Sequence, residues 1–327
     1  MNPEAESRAP SHYLQGNHIP DAFTERRYAL EFLHDTRHPP HLSRQQACEQ
    51  GNIRFIVYKK HGLVVSDTPF FSELIESIEY AARREKYTVT ISYINESDGA
   101  DDRRLLQNQP FDGFILLATE MDNKSFQLYR QSDKPLIVLD NDFNAFDTVV
   151  INNQQGAYEA TSYLHDMGHA EIGHLKCSVP INNFNERRLG YLKALESFGA
   201  SGDVKFTFEI GSEYETAYSD MLGALKAQRR IPSAFFADND IIALGAMKAM
   251  QQYGIRIPED VSVVGFDDLP LCKIAEPSLS TVRVNKKRLG SIAMNRLMDK
   301  IRGNVKGDVK IQVGTQIVKR ESVRRKN

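Results

Sequence analysis

Phe235-Phe-Ala-Asp-Asn-Asp-Ile-Ile-Ala-Leu-Gly-Ala246 reads as a buried strand, a short polar turn and the opening of a helix. Downstream, Val263-Val-Gly-Phe-Asp-Asp-Leu269 is a second apolar strand, and it ends in paired carboxylates. The same alternation extends outward from this pair. Strands are expected at Ile53–Tyr58, Thr88–Tyr93, Gly113–Leu117 and Leu136–Leu139. A second series falls at Thr148–Ile151, Ile172–Leu175, Val204–Phe208, Ala234–Phe236 and Val261–Val264. Between them lie helical patterns at Gln155–Asp166, Arg188–Ser197, Glu213–Lys226 and Ile241–Tyr253. Another helix is opened by Pro69, with Phe70, Leu74, Ile75, Ile78 and Ala82 at helical spacing. Strands alternating with helices of this length predict an α/β fold with two parallel sheets, each covered on both faces.

Composition bounds what such a chain does. Its 327 residues, 41% hydrophobic and 26% charged, suit two modest domains. A net charge of −2 provides no overall basic field for nucleic acid. Cys48, Cys177 and Cys272 are scattered and odd in number, which suits a reducing compartment rather than a disulfide framework. The start lacks a basic region and an apolar run, and no stretch of about 18 apolar residues occurs, so a soluble cytoplasmic protein without a membrane partner is expected. Residues 1–50 differ from the rest: they hold no Lys, five of the nine His, and seven acidic against five basic residues. Residues 1–23 read as disordered and 24–50 as weakly helical.

Ligands of open parallel sheets bind at the carboxyl ends of the strands, so the residues after each strand are the candidates. After the first strand come Asp67, Thr68 and Pro69, a helix-capping arrangement, then Phe70 and Phe71, whose rings suit either the core or the apolar face of a sugar or base. Asp140 follows the fourth strand and needs solvent, a cap or a ligand. Arg187 and Arg188 fall in the first turn of a helix, where the dipole favours anions, so either solvent or a compensating partner is required. Asp267 and Asp268 point apart on an extended chain, which makes them a poor acid–base pair; Asp267 suits ligand hydroxyls or a turn. His165, His169 and His174 span a helix end, a turn and a strand, and local backbone bonding is expected there rather than a metal. No phosphate-binding glycine loop, nucleophile elbow or Cys/His pair is present, so neither an enzyme nor a cofactor is expected.

Together these segments resemble the lactose- and purine-repressor family across roughly residues 52–324. The resemblance is carried by Phe236-Ala-Asp-Asn-Asp-Ile-Ile-Ala-Leu-Gly-Ala-Met247, by Gly254-Ile-Arg-Ile-Pro-Glu-Asp-Val-Ser-Val-Val-Gly-Phe-Asp-Asp268 and by Pro277-Ser-Leu-Ser-Thr-Val-Arg283. Asp67-Thr-Pro-Phe-Phe71, Gly156-Ala-Tyr-Glu-Ala160 and Arg187-Arg-Leu-Gly-Tyr191 support it. It implies two doubly wound, periplasmic-binding-protein-like lobes joined by three crossovers, at 52–150 with 284–311 and at 151–283 with 312–324. It further implies a homodimeric transcription regulator, acting as a repressor, whose interlobe cleft takes a small sugar-like effector and alters DNA affinity allosterically. The effector-binding residues carried over are Phe70, Phe71, Asp140, Arg187, Asn239 and Asp267.

The family's N-terminal helix-turn-helix phrases do not occur in residues 1–51, where Pro39-Pro-His-Leu-Ser-Arg44 is only a faint echo of its hinge helix. A truncated gene, a diverged headpiece and a regulator without its own DNA contacts all remain open, so operator DNA is a partner only if a headpiece works. The alternative function is a DNA-independent, solute-binding-like sugar-binding protein.

Overall fold

Ile53-Arg-Phe-Ile-Val-Tyr58 is apolar on both faces of an extended chain, so a strand built from it has to be covered twice. In the computed structural model, which describes residues 51–65, 69–98, 110–199 and 206–326, β1 (Gly51–Lys59) is covered in that way. Ile53, Phe55 and Val57 join the main core, whereas Ile56 and Tyr58 join a second cluster on the opposite face with Phe114, Leu116 and Val138. Phe126 and Phe143 stack in that second cluster with centroids 4.0 Å apart. The expectations for residues 1–51 and for the Asp67–Thr68 cap fall on residues outside the described set, apart from Gly51, the first residue of β1.

The strands form two six-stranded sheets. The first runs β11-β5-β4-β3-β1-β2, all parallel, from β2 (Tyr87–Asn95), β3 (Gly113–Leu117), β4 (Leu136–Leu139), β5 (Thr148–Ile151) and β11 (Lys310–Val313). The second runs β12-β10-β9-β8-β6-β7, from β6 (Ile172–Cys177), β7 (Thr207–Ile210), β8 (Ala234–Ala237), β9 (Ser262–Asp267), β10 (Ser280–Val284) and β12 (Thr315–Val318), with β12 antiparallel to β10. This is the two-lobed α/β architecture expected. Thr148–Ile151, expected to open the second series, instead joins the first sheet between β4 and β11. The edge strands β11 and β12 went unread because four half-exposed residues each, rich in Lys, Gln and Thr, are too short to show a period.

Six helices of three or more turns cover the sheets among the described residues. They are α1 (Pro69–Arg84), α2 (Asn153–Asp166), α3 (Asn182–Ser197), α4 (Tyr214–Lys226), α5 (Asp240–Gln252) and α6 (Lys286–Ile301). Helix α6 packs on α1 and under β3, β4 and β5, so a late segment closes the first lobe. The chain passes between the sheets three times, at Asn152 between β5 and α2, at Asn285 between β10 and α6, and at Gly314 between β11 and β12. No helix among the described residues is long and apolar enough to cross a membrane.

Helices α2 and α3 approach each other through Gly190, where an added Cβ would lie 2.1 Å from the Gln154 carbonyl oxygen. Gly223, on the exposed side of α4, has nothing within 4 Å. Gly190→Ala is therefore expected to destabilise by about 1–3 kcal/mol through overpacking. Gly223→Ala is expected to stabilise by about 0.5–1 kcal/mol by restricting the unfolded chain. Paired urea melts check both signs.

Candidate functional site

The first lobe builds its half of the site from the ends of β1, β3 and β4. The loop after β1 wraps around one carboxylate: Glu120 Oε2 accepts the backbone N–H groups of Lys60, His61 and Gly62 at 2.9–3.1 Å, and Oε1 accepts those of Val64 and Val65 at 2.8 Å. Burial alone would raise the Glu120 pKa, but these donors outweigh it and hold the carboxyl below its usual value. The first turn of α1 carries Phe70 and Phe71, with rings edge to face at 5.1 Å. Asp140 leaves β4 at φ +66°, a left-handed conformation that Asp tolerates better than most residues. Its Oδ2 accepts the Thr119 hydroxyl at 2.6 Å, whereas its Oδ1 accepts no hydrogen bond although the residue is only 3% exposed.

The second lobe answers with a buried guanidinium. Arg187 donates from Nε to Asn153 Oδ1 at 2.9 Å, from Nη1 to the Asp238 carbonyl, and from Nη2 to Asp267 Oδ1 at 3.0 Å. Its Cζ lies over the Phe266 ring, 3.7 Å from the centroid. Asn153 in turn donates to Asn183 Oδ1 at 3.1 Å, which sets the amide facing the cleft. Asp238 is held from below by His174 Nε2 and by the Cys177 N–H, both at 2.7 Å. Helix α3 begins at Asn182, several residues earlier than expected, so Arg187 lies in its second turn rather than its first. The dipole conflict read from the sequence disappears, and the compensating partner is Asp267.

The carboxylates at the end of β9 diverge as expected, though through a turn rather than an extended chain: Asp267 has φ +111° and Asp268 φ +52°. Arg283 and Arg320 clamp Asp268, and although burial works the other way, they hold its carboxyl below the usual range. Asp267 is thereby turned into the cleft, where burial raises its pKa against the pull of Arg187 and Lys286. Behind it Asp240, wholly buried and bonded to the Thr281 hydroxyl and the Leu269 N–H, is pushed up to about 7 by burial and by the charge of Asp267. Asp140 is pushed up to about 6 by burial, partly offset by Thr119, the nearby Asn183 amide and Arg187.

Phe70, Phe71, Asp140, Arg187, Asn239 and Asp267, the six residues singled out in the sequence, line one cavity between the lobes. Its volume is about 50 Å³, room for a few water molecules and not for a sugar ring, so a larger ligand requires the lobes to part. Asn239 also caps α5, its Oδ1 accepting the Ile242 N–H at 2.9 Å, which leaves its amide nitrogen for other work. Thr119, Asn153, Asn183, Asp238 and Asp240 escaped the sequence reading. Only strand-end position pointed to Thr119 and Asp238, and nothing local marked the two asparagines. The three histidines separate: His165 stacks on Phe198, His169 bonds Ser233 and the Arg324 carbonyl, and His174 bonds Asp238. Among the described residues no cluster of His, Cys, Asp and Glu is arranged to hold a metal.

Comparison with known proteins agrees with the two-lobed fold. Residues 161–323 match the family model described as a periplasmic binding protein-like domain. The HTH-type transcriptional repressor PurR of Photorhabdus laumondii is 30% identical over 268 residues, 79% of this chain and 77% of the relative. A LacI-type transcription regulator from Bifidobacterium animalis superposes with TM-score 0.72 at 26% identity, over 84% of this chain and 99% of that one. A LacI family regulator from Enterococcus faecium, solved with bound ribose, gives TM-score 0.72 at 24% identity over 84% and 100%. The relatives are named as transcription regulators rather than enzymes, in line with the expectation from the motifs.

Because Asp240 binds its proton more tightly when folded than at its unperturbed value of 3.8, its stabilising contribution is full below about pH 4. That contribution is lost as pH rises through about 7. Asp240→Asn keeps an acceptor for the Leu269 N–H and a donor for Thr281 but does not titrate. The melting temperature of the native chain relative to this variant is expected to fall steadily from pH 4.5 to pH 7.5. A constant difference across that range would contradict the assignment.

Proposed function

This chain belongs to the lactose-repressor family of transcription regulators, and on that premise we propose that its two lobes close on a sugar or sugar derivative and so change its affinity for operator DNA. The observation that carries the reading is convergence: Phe70, Phe71 and Asp140 from one lobe meet Arg187, Asn239 and Asp267 from the other around a single cavity. A guanidinium, two carboxylates and an amide provide directional bonds to hydroxyls, and the paired rings cover an apolar face. Because the groups come from both lobes, a ligand that bridges them favours the closed arrangement over the open one. A coupling of about 1–3 kcal/mol between effector and DNA is typical of such two-state devices.

The regulator acts in the cytoplasm as a homodimer. Tyr80 on α1 and Ile274 after β9, apolar side chains 68% and 75% exposed, support this reading.

The test is a melting-temperature screen of the whole chain against neutral sugars, nucleosides and phosphosugars. A ligand held at 100 times its Kd should add about 2.7 kcal/mol of stability. Arg187→Lys and Asp267→Asn are expected to keep the fold and lose that shift. A ligand whose effect survives both substitutions would place binding elsewhere on the molecule.

A further inference from the structure

We propose that the cleft selects ligands that bear no anionic group, and that Asp140 enforces this choice by requiring a hydrogen-bond donor, a hydroxyl or an amine, from whatever binds. The inference rests on the reading of the cleft as the effector site and narrows it to one chemical class.

Three observations lead there. The first is Asp140 Oδ1, a buried acceptor with no hydrogen bond, on a residue that lines the cavity. A buried acceptor left unpaired costs free energy until a donor reaches it. Thr119 already serves the other oxygen, and the nearby Asn183 amide makes no geometrically sound hydrogen bond to Oδ1, so a donor carried by the ligand is what completes this carboxylate. A phosphate or carboxylate brings acceptors instead and adds like-charge repulsion.

The second is the balance of charge. Asp140 and Asp267 line the cavity against Arg187 alone, and Arg187 is already engaged by Asp267, Asn153 and the Asp238 carbonyl. Lys286 stands at the edge, 5.6 Å from the Phe70 ring centroid, but Glu73 at 3.6 Å and the Asp268 carbonyl draw its charge away. Asp240 adds a further carboxyl directly behind Asp267. The start of α3 lies nearby, since Ile181, Asn183 and Phe184 line the cavity, and its dipole offers only about half a positive charge. The acidic side prevails.

The third is the loop after β1. Its backbone N–H groups converge as they do in anion-binding loops, yet all five are filled by the protein's own Glu120. An incoming phosphate finds no open cradle there.

Calorimetry with matched pairs tests the proposal on the intact chain: glucose, ribose, glucosamine and cellobiose against glucose 6-phosphate, ribose 5-phosphate, glucosamine 6-phosphate and cellobiose 6-phosphate, at constant ionic strength. For any sugar that binds, the anionic counterpart is expected to bind at least about tenfold more weakly. In Asp140→Asn, which suits the left-handed backbone, that gap should shrink to about threefold or less. An anionic member that binds as tightly as its parent overturns the proposal and leaves the cleft reading intact. A gap unchanged in Asp140→Asn removes Asp140 from the role. Absence of binding by every member overturns both readings together. The native chain's preference is decisive even if the variant fails to fold.

Discussion

A guanidinium taken out of water has to keep its donors occupied, and Arg187 does so with a carboxylate, an amide and a backbone carbonyl while its Cζ lies over Phe266. Leaving such a charge without partners costs several kcal/mol, so each partner has to be fixed before the arginine is useful. That requirement explains much of the second lobe. Asn153 opens α2 where it can face α3, and Gly190 allows those two helices to come close enough. Asp238 is fixed by His174 and Cys177, so its carbonyl is already aimed at the guanidinium. The left-handed turn at Asp267 and Asp268 divides two carboxylates between two duties, one toward the cleft and one toward Arg283 and Arg320.

The first lobe solves a complementary problem. Its main device is Glu120, whose carboxylate gathers the backbone N–H groups of the loop after β1. Asp140 is left half-satisfied among these rigid neighbours. Strain and unpaired polar atoms tend to concentrate where a protein meets its ligand, because the surrounding packing can sustain them. Here the positive φ values of Asp140 and Asp267 sit on opposite lobes of the same cavity.

The fold was legible wherever burial on both faces forced uninterrupted apolar runs, as in Gly113–Leu117 and Leu136–Leu139, whose bounds the sequence marks to the residue. It was not legible at the edges, where β11 and β12 alternate too briefly, nor at the start of α3, whose first turn of Asn182, Asn183, Phe184 and Asn185 carries turn-forming residues rather than helix formers. Asp140 and Asp267 were legible because strand-end position is a property of topology, which the alternation of elements encodes, whereas Arg187, inside α3, and Asn239 were named through the family resemblance. Thr119, Asn153 and Asn183 were invisible for the opposite reason. Their roles depend on partners 21, 34 and 30 positions away, and no local pattern records a contact of that range.

The three passages between the sheets have a mechanical consequence. At Gly314 a single residue separates a strand of one sheet from a strand of the other, and Asn152 and Asn285 are equally brief spans. Three short straps joining two sheets act as a flexure, in which bending at the straps is easier than stretching along them. Connections this brief restrict how far the two sheets can separate at the crossings, so a ligand that wedges or draws together the far edge acts on an angle between them rather than on general loosening.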